Sequence, residues 1–211
     1  MTVTDFHTHR SDAKDALIST EPDRFDPQPG RIYSVGLHPW STADVTEAHL
    51  LRLSQVATHP QVAAIGETGF DTLRGATVER QRQIFDFHID LARQLRKPLV
   101  VHCVRAWQHL LGALRDNPAD VPVVIHAFRG KPQLARTLID AGCLLSFGLR
   151  FNPEALAATP ANRLLIETDD DPADIAQVAQ AIAEANRLTA EQVIQLARDN
   201  ANRLLSPQPS H

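Results

Sequence analysis

The chain has 211 residues, of which 43% are hydrophobic and 22% charged, so it can bury the core of one enzyme-sized domain. A formal net charge of -4 excludes a global electrostatic attraction to nucleic acid, and a phosphate-bearing substrate would need a local positive charge. Two cysteines, Cys103 and Cys143, are too few for a disulfide framework, and we expect both to be structural thiols. The sequence has neither a signal-peptide pattern nor a membrane-length apolar run, which predicts a cytoplasmic protein.

Apolar runs of strand length alternate along the chain with longer segments of helical period, the pattern of a parallel α/β fold. The predicted strands cover residues 3–6, 32–37, 62–66, 98–101, 123–125 and 164–166. The predicted helices cover residues 45–58, 77–96, 105–115, 132–141, 172–186 and 189–205. Thr77 is a candidate helix cap, and Thr189 with Gln192 has the spacing of a capping box. We expect a single domain over residues 1–211, with a frayed tail at 206–211.

The segment from Ser11 to Gly30 departs from this alternation. Residues 16–19 could form a strand, but they follow His9 too closely for a parallel crossover, which usually takes a dozen or more residues. We therefore expect a barrel in which the first βα unit is reduced: its helix is missing, and the second strand is short, displaced or lost.

Several predicted strands end in a residue type that binds metal ions. Because all strands of a parallel barrel point their C-terminal ends at one face, such residues should converge there. The candidates are His7, His9, Glu67, His102, His126 and Asp169. This histidine-rich set favours Zn, Mn, Ni or Fe over Ca. An anion such as Glu67 among histidines suits a bridge between two cations, and Asp169 could both ligate a cation and accept a proton from the attacking water.

Each candidate also has a structural interpretation. Any one of the histidines could be a buried residue bonded to backbone, and Glu67 could cap a helix. Asp170 and Asp171 suit the N-terminus of the next helix, where negative charge is favourable. We expect Trp40 and Trp107 to be core residues rather than platforms for nucleobases. His38, at the end of another strand, is a candidate substrate contact.

The motifs, taken in order, resemble those of the TatD-type metal-dependent hydrolases. They are Asp5-Phe6-His7-Thr8-His9, Gly36-Leu37-His38-Pro39, Gly66-Glu67-Thr68-Gly69-Phe70-Asp71, His102, His126-Ala127-Phe128-Arg129-Gly130 and Glu167-Thr168-Asp169. The resemblance implies a TIM-like barrel of the amidohydrolase-like type and hydrolysis, most often of phosphodiesters as a deoxyribonuclease. By position it assigns His7, His9 and Asp169 to one metal and His102 and His126 to the other, with Glu67 as the bridge.

The chain departs from the family pattern mainly where substrate would bind. The first two motifs are closer together than is usual in the family. Val104 replaces a usual arginine, although Arg105 follows it, and Arg129 stands where a small polar residue is usual. Asp170-Asp171-Pro172 replaces the usual Ala-Pro, which adds negative charge near the expected entry of a phosphate.

Together these features predict a hydrolase that uses two divalent ions, of Zn, Mn, Mg, Ni or Fe, and acts on single-strand nucleic-acid ends or short phosphodiesters. Glu67 and Asp169 are the predicted catalytic residues, while His38, Arg105 and Arg129, with Lys131 nearby, would bind substrate. One alternative is an amidohydrolase or lactonase for a small substrate. The other is a metal-binding barrel without catalytic activity. We expect a monomer that acts without a membrane partner.

Overall fold

The computed structural model describes residues 2–206, in which eight parallel strands follow one another around a closed barrel. The strands are β1 (Asp5–Thr8), β2 (Ala16–Thr20), β3 (Ile32–Val35), β4 (Val62–Asp71), β5 (Leu99–Val104), β6 (Val123–Ile125), β7 (Leu144–Phe147) and β8 (Leu164–Ile166). The predicted α/β barrel is therefore confirmed. The prediction for the tail largely falls on residues 207–211, outside the described part.

Seven α-helices lie between or after the strands in the described residues. They are α1 (Glu47–Ala57), α2 (Val78–Leu95), α3 (Trp107–Asp116), α4 (Pro132–Asp140), α5 (Pro153–Ala157), α6 (Ile175–Asn186) and α7 (Ala190–Leu205). Thr77 caps α2 by accepting a hydrogen bond from the Arg80 N–H, and Thr189 with Gln192 forms the predicted capping box of α7. α6 begins later than predicted because Asp174, rather than Pro172, is its N-cap. None of the helices described is both long and apolar enough to cross a membrane.

By its internal contacts the described chain divides into two compact units. We call residues 2–18 with 124–206 the terminal unit, and residues 19–123 the central unit. In the terminal unit every residue of β1, β7 and β8 is buried. Burial on both faces is typical of parallel strands covered by helices, and it explains why β7 and β8 are mostly or entirely apolar rather than alternating.

The first βα unit is reduced as predicted, because no α-helix lies between β1 and β2 or elsewhere in residues 11–30. The expectation that the second strand could be displaced or lost is wrong. β2 is a buried strand of five residues that pairs with β1, with Asp5 opposite Ala16 and Thr8 opposite Ile18. Asp15 makes the short return possible. Its φ of 51° turns the chain, and its carbonyl accepts from the N–H groups of Thr4 and Asp5 at 2.8 and 3.2 Å.

The two cysteines are unpaired thiols, Cys103 within β5 and Cys143 directly before β7. Cys143 is buried and Cys103 half-buried, and burial raises the pKa of each to about 12. A thiol with such a pKa stays protonated at neutral pH and is a poor nucleophile. This supports the structural role predicted for both.

Candidate metal centre

The terminal unit carries a first group of metal-binding side chains at the ends of β1 and β8. The Asp169 carboxylate oxygen Oδ1 lies 3.8 Å from His7 Nε2 and 3.6 Å from His9 Nε2. Backbone hydrogen bonds fix the arrangement: Asp169 N–H donates to the His7 carbonyl at 2.9 Å, and His9 N–H donates to the Asp169 carbonyl at 3.4 Å. The three residues offer ligand atoms within 4.8 Å of one another, which is compatible with one bound cation.

A second group in the same unit joins His126, Glu167 and Asp169. Glu167 Oε1 accepts from the Ala127 N–H at 2.7 Å and lies 3.3 Å from His126 Nδ1. Full burial would raise the pKa of Glu167, but the hydrogen bond and charge of His126, together with His7, hold it below its usual range. With the Nδ1 proton of His126 directed at this carboxylate, Nε2 is the nitrogen available to a metal, as in carboxylate–histidine–metal arrangements.

Asp5, two residues before His7 on β1, is buried and joins β1 to the end of β8. Its carboxylate accepts from the Thr168 N–H at 3.0 Å and from the Thr168 hydroxyl at 2.6 Å. Burial raises the pKa of Asp5 to about 6, although the hydrogen bonds from Thr168 oppose the rise. Because Thr168 directly precedes Asp169, this buried contact holds the candidate ligand in place.

The central unit carries its own group at the ends of β3, β4 and β5. Glu67 Oε1 lies 2.8 Å from His102 Nδ1 and 3.0 Å from His38 Nε2. Glu67 is buried, and the two histidines are partly exposed. These three residues again form a set whose ligand atoms lie within 4.8 Å of one another.

Glu67 sits at an irregularity in the pairing of β4 with β5. Ile65 pairs with Leu99 and Thr68 with Val101, so three steps along β4 match two steps along β5. Such a bulge can redirect a side chain beside a functional site. Close approach of the strands explains the glycine two residues later: Gly69 has a φ of 137°, and a Cβ there would collide with the His102 carbonyl.

The tautomer of His38 follows from its hydrogen bonds. The Trp40 N–H donates to His38 Nδ1 at 3.2 Å, so a neutral His38 carries its proton on Nε2 and donates it to Glu67. Just before it, the Leu37 N–H donates to Nε2 of the fully buried His88 at 3.0 Å, while His88 Nδ1 donates to the Ile84 carbonyl at 2.7 Å. α2 thus anchors the end of β3 that presents His38.

Asp71, at the end of β4, connects Trp40 to this group. Its Oδ2 accepts from the Trp40 indole N–H at 2.6 Å and lies 3.6 Å from His102 Nε2. Burial opposes ionisation, but the hydrogen bonds from Trp40 and from the Leu73 N–H, together with His102, lower the pKa of Asp71. The expectation that Trp40 is a core residue is wrong, because 48% of it is exposed. Trp107 is half-buried.

The basic residues predicted to bind substrate are all exposed, but their positions differ. Arg129 lines a cleft of about 260 Å³ in the terminal unit, together with Asp169 and Arg150. Asp170 and Asp171 line the same cleft. Arg105 directly follows β5, and Lys131 is the N-cap of α4. Arg150 was not among the predicted residues.

The structure brings His7, His9 and Asp169 together, and it places His102 against Glu67. Two residues with a clear position in these groups were not assigned a role from the sequence, namely Glu167 and Asp71. The spacing of Glu167 and Asp169 carried a signal, since residues two apart in an extended segment point to the same side. Asp71 carried none, because its contacts depend on how β4 continues beyond Glu67.

The donor chemistry of these groups suits divalent transition metals. Imidazole nitrogens and carboxylate oxygens are the usual ligands of Zn, Mn, Ni and Fe in proteins. His126 also has a carboxylate on its second ring nitrogen, as metal-binding histidines commonly do. The barrel fold and these strand-end groups together define the class of metal-dependent hydrolases with barrel architecture.

Comparison with known proteins identifies the family. The model of the TatD-related DNases matches residues 23–206. An uncharacterized metal-dependent hydrolase TatD of Mycobacterium tuberculosis is 34% identical over 82% of this chain and 76% of its own length. The uncharacterized metal-dependent hydrolase YcfH of Escherichia coli K12 is 31% identical over 82% of this chain and 73% of its length. The chain therefore belongs to the TatD family of metal-dependent hydrolases.

Solved structures agree on the fold. The TatD homologue YJJV from Escherichia coli superposes with a TM-score of 0.80, at 22% identity, over 90% of this chain and 85% of that one. A TatD family hydrolase from Entamoeba histolytica superposes with a TM-score of 0.78, at 14% identity, over 97% of this chain and 98% of that one.

A protein named 3'-5' ssDNA/RNA exonuclease TatD, from Musicola paradisiaca, is 33% identical over 67% of this chain, which covers 58% of that protein's length.

Proposed function

We propose that the protein is a divalent-metal-dependent phosphodiesterase that acts on single-strand nucleic-acid ends or short phosphodiesters. The observation that carries this proposal is the composition of the cleft in the terminal unit. Asp169, a candidate ligand, lines it together with the guanidinium groups of Arg129 and Arg150. Glu167, Asp170 and Asp171 line it as well, so an anionic group would bind there with its charge compensated by the two arginines and by a bound cation.

In this proposal His7, His9 and Asp169 hold one divalent ion, and Glu67 and His102 contribute to a second. The bridging role of Glu67 and the assignment of His126 to the second ion remain predictions from the sequence. Glu167 orients His126 by accepting a hydrogen bond from His126 Nδ1. His38 orients Glu67 by donating a hydrogen bond to it from Nε2. When bound, the ions supply a water of lowered pKa and stabilise charge that develops on the substrate.

Asp169 is the proposed proton acceptor. It is partly exposed and reaches the cleft, whereas Glu167 is fully buried and committed to His126 and to the Ala127 N–H. Arg129 compensates the charge of the phosphate during the reaction. Arg105 is a second candidate for this role because it directly follows the strand that carries His102.

The chain itself favours short or single-stranded substrates. Affinity for a long polyanion grows with the number of phosphates neutralised, and here the 21 lysines and arginines are outnumbered by 25 acidic residues. The exonuclease name of the relative from Musicola paradisiaca supports the same substrate class. That relative is covered over only 58% of its length, so its name supports the proposal without deciding it.

A narrow apolar pocket would favour the amidohydrolase or lactonase alternative, whereas the cleft is lined by two arginines, three aspartates and Glu167. The alternative of a barrel without catalysis conflicts with the hydrolase family to which the chain belongs.

The test is hydrolysis of labelled single-stranded and duplex oligonucleotides with Mg, Mn or Zn supplied, alongside a small phosphodiester, an ester and a lactone. We expect cleavage from single-strand ends and of the small phosphodiester. Equal or better cleavage at internal duplex sites would contradict the substrate class, and activity limited to the ester or lactone would favour the alternative.

Arg129→Ala should lower turnover of phosphodiesters by about tenfold or more, because it removes charge stabilisation from the reacting group. Metal content should stay at the wild-type level, since Arg129 is not a ligand. Arg136→Ala is the matched control, an exposed arginine of α4 that does not line the cleft. If the Arg129 and Arg136 variants have equal turnover, the role given to Arg129 is wrong.

A further inference from the structure

Trp40 is an exposed indole held in one orientation beside candidate metal ligands. Its ring N–H donates to Asp71 at 2.6 Å, and its backbone N–H donates to His38 Nδ1 at 3.2 Å. The ring meets those of His38 and His102 edge-on, with centroids 4.7 and 6.0 Å apart. An aromatic side chain that is fixed on one side and leaves 48% of its residue exposed gives up burial that would favour folding, and its rigidity suits it to binding a ligand.

Arg74 adds a cation to this surface. Its guanidinium carbon lies 4.2 Å from the centroid of the Trp40 ring, a cation–π contact, and Arg74 is itself exposed. The loop that carries Arg74 is packed onto the Trp40 segment. Gly75 has a φ of 84°, and a Cβ there would collide with the Pro39 carbonyl, while the Ala76 N–H donates to the Thr42 hydroxyl at 3.1 Å. Arg74 is therefore held over the indole by its loop.

We propose that Trp40 and Arg74 form a subsite for a nucleobase, in which a planar base stacks on the outer face of the Arg74 guanidinium, itself held over the indole, while the edge of that guanidinium pairs with a neighbouring phosphate. This inference rests on the proposed function, since the subsite would hold the nucleotide next to the bond that is cleaved. Aromatic side chains and arginine planes are the surfaces on which single-stranded bases stack, whatever the base.

The subsite accounts for a preference for single strands without a basic surface. A base inside a duplex has both faces covered by its neighbours, so only an unpaired or frayed nucleotide can reach Trp40.

The binding test uses the fact that the chain has only two tryptophans. A Trp107→Phe background leaves Trp40 as the sole indole fluorophore of the full-length, metal-loaded protein. The probes are a phosphorothioate-linked thymidine tetramer, chosen to resist hydrolysis, and an abasic tetramer with the same backbone. Saturable quenching of Trp40 by the thymidine tetramer, with at least about tenfold weaker binding of the abasic tetramer, is expected. Equal quenching by the two would overturn the inference.

The kinetic test compares Trp40→Phe with Trp40→Leu. Both variants lose the hydrogen bond to Asp71, so a difference between them reports the aromatic ring that supports Arg74 and the base, and the abasic oligonucleotide isolates the contribution of the base. We expect KM for single-stranded DNA to be about tenfold higher in the Leu variant than in the Phe variant, and KM for the abasic oligonucleotide to be the same in both. Equal KM values on DNA, with turnover intact, would overturn the subsite and leave the phosphodiesterase proposal standing. Quenching by the thymidine tetramer without hydrolysis of any phosphodiester would support the subsite and refute the phosphodiesterase proposal.

Discussion

Two histidines in the candidate centre have their tautomer set by a neighbour, with opposite consequences. His126 directs Nδ1 at Glu167 and leaves Nε2 for a metal. His38 accepts a backbone N–H at Nδ1 and uses Nε2 toward Glu67. In the proposed site His126 would therefore serve as a ligand and His38 as a support for Glu67, a distinction that strand-end position alone does not make.

Glu167→Gln should weaken metal binding by about 10- to 100-fold, because the amide can still accept the Ala127 N–H but holds the His126 ring less strongly. Competitive titration with a metal-sensitive dye would measure the change. Glu184→Gln, the same substitution at an exposed position of α6, is the control. Wild-type metal affinity in the Glu167 variant would show that this carboxylate does not support the site.

His88 makes stability depend on pH. Burial lowers the pKa of His88 from 6.5 to about 4, although its bond to the Ile84 carbonyl opposes the shift. The folded-state pKa lies below the unfolded one, so stability is fully present above pH 6.5 and is lost as pH falls toward 4. The His88 contribution to this loss is on the order of 2–3 kcal/mol between pH 7.5 and 4.5.

His88→Gln should remove that contribution, so that the variant's free energy of unfolding falls less steeply with acid than the wild type's. Urea unfolding at the two pH values measures it. His109→Gln, at an exposed histidine of α3, provides the matched comparison. An unchanged pH slope in the His88 variant would contradict the assignment, whatever the variant's stability at pH 7.5.

At the scale of elements, the sequence indicates the positions of the strands more clearly than their C-terminal ends. The apolar runs before Glu67 and His102 were recognised, yet β4 continues to Asp71 and β5 to Val104. These extensions depend on pairing between the two strands past the bulge, which no local pattern encodes. Trp40 was misassigned for a similar reason: its exposure depends on Asp71 and on the Arg74 loop, which are 31 and more residues away.

The connection between β1 and β2 could also be predicted only in part. The sequence correctly indicates that no α-helix lies there, but the usual length of parallel crossovers argues against a regular strand so soon after β1. The left-handed conformation of Asp15 permits a shorter return. Aspartate tolerates that conformation better than most residues, but its presence alone did not predict it.

Asp15→Val should destabilise the protein by about 1–2 kcal/mol, because a β-branched residue is strained at positive φ. Asp15→Asn should stay near wild type, since asparagine adopts this conformation readily. Lys14→Val, at the exposed position just before it, controls for the loss of a charged surface residue. Chemical denaturation measures all three, and equal stability of the two valine variants would remove the role given to Asp15.

At the scale of the whole molecule, the candidate ligands could be proposed from the sequence because a parallel barrel collects its strand ends at one face. Of these candidates, the structure brings His7 and His9 to Asp169 and places His102 against Glu67. Substrate choice is less accessible from the sequence, since it depends on loops such as those carrying Arg129, Arg150 and Arg74. The number of metal ions that the protein binds is the measurement that tests all the candidate ligands together.

We predict that the purified, metal-reconstituted protein binds up to two transition-metal equivalents per chain, and that the ions raise its melting temperature, because a ligand that binds only the folded state stabilises it. The His7→Ala/His9→Ala double variant should lose metal, as it removes two ligands from one group. Glu67→Gln should lose more metal than Asp169→Asn, because Glu67 is predicted to contact both ions.

Asp140→Asn, at an exposed carboxylate of α4, is the control for elemental analysis of the metal content. No metal in the wild type, or full metal content in the double variant, would refute the site, whereas a greater loss in Asp169→Asn than in Glu67→Gln would refute only the bridging role.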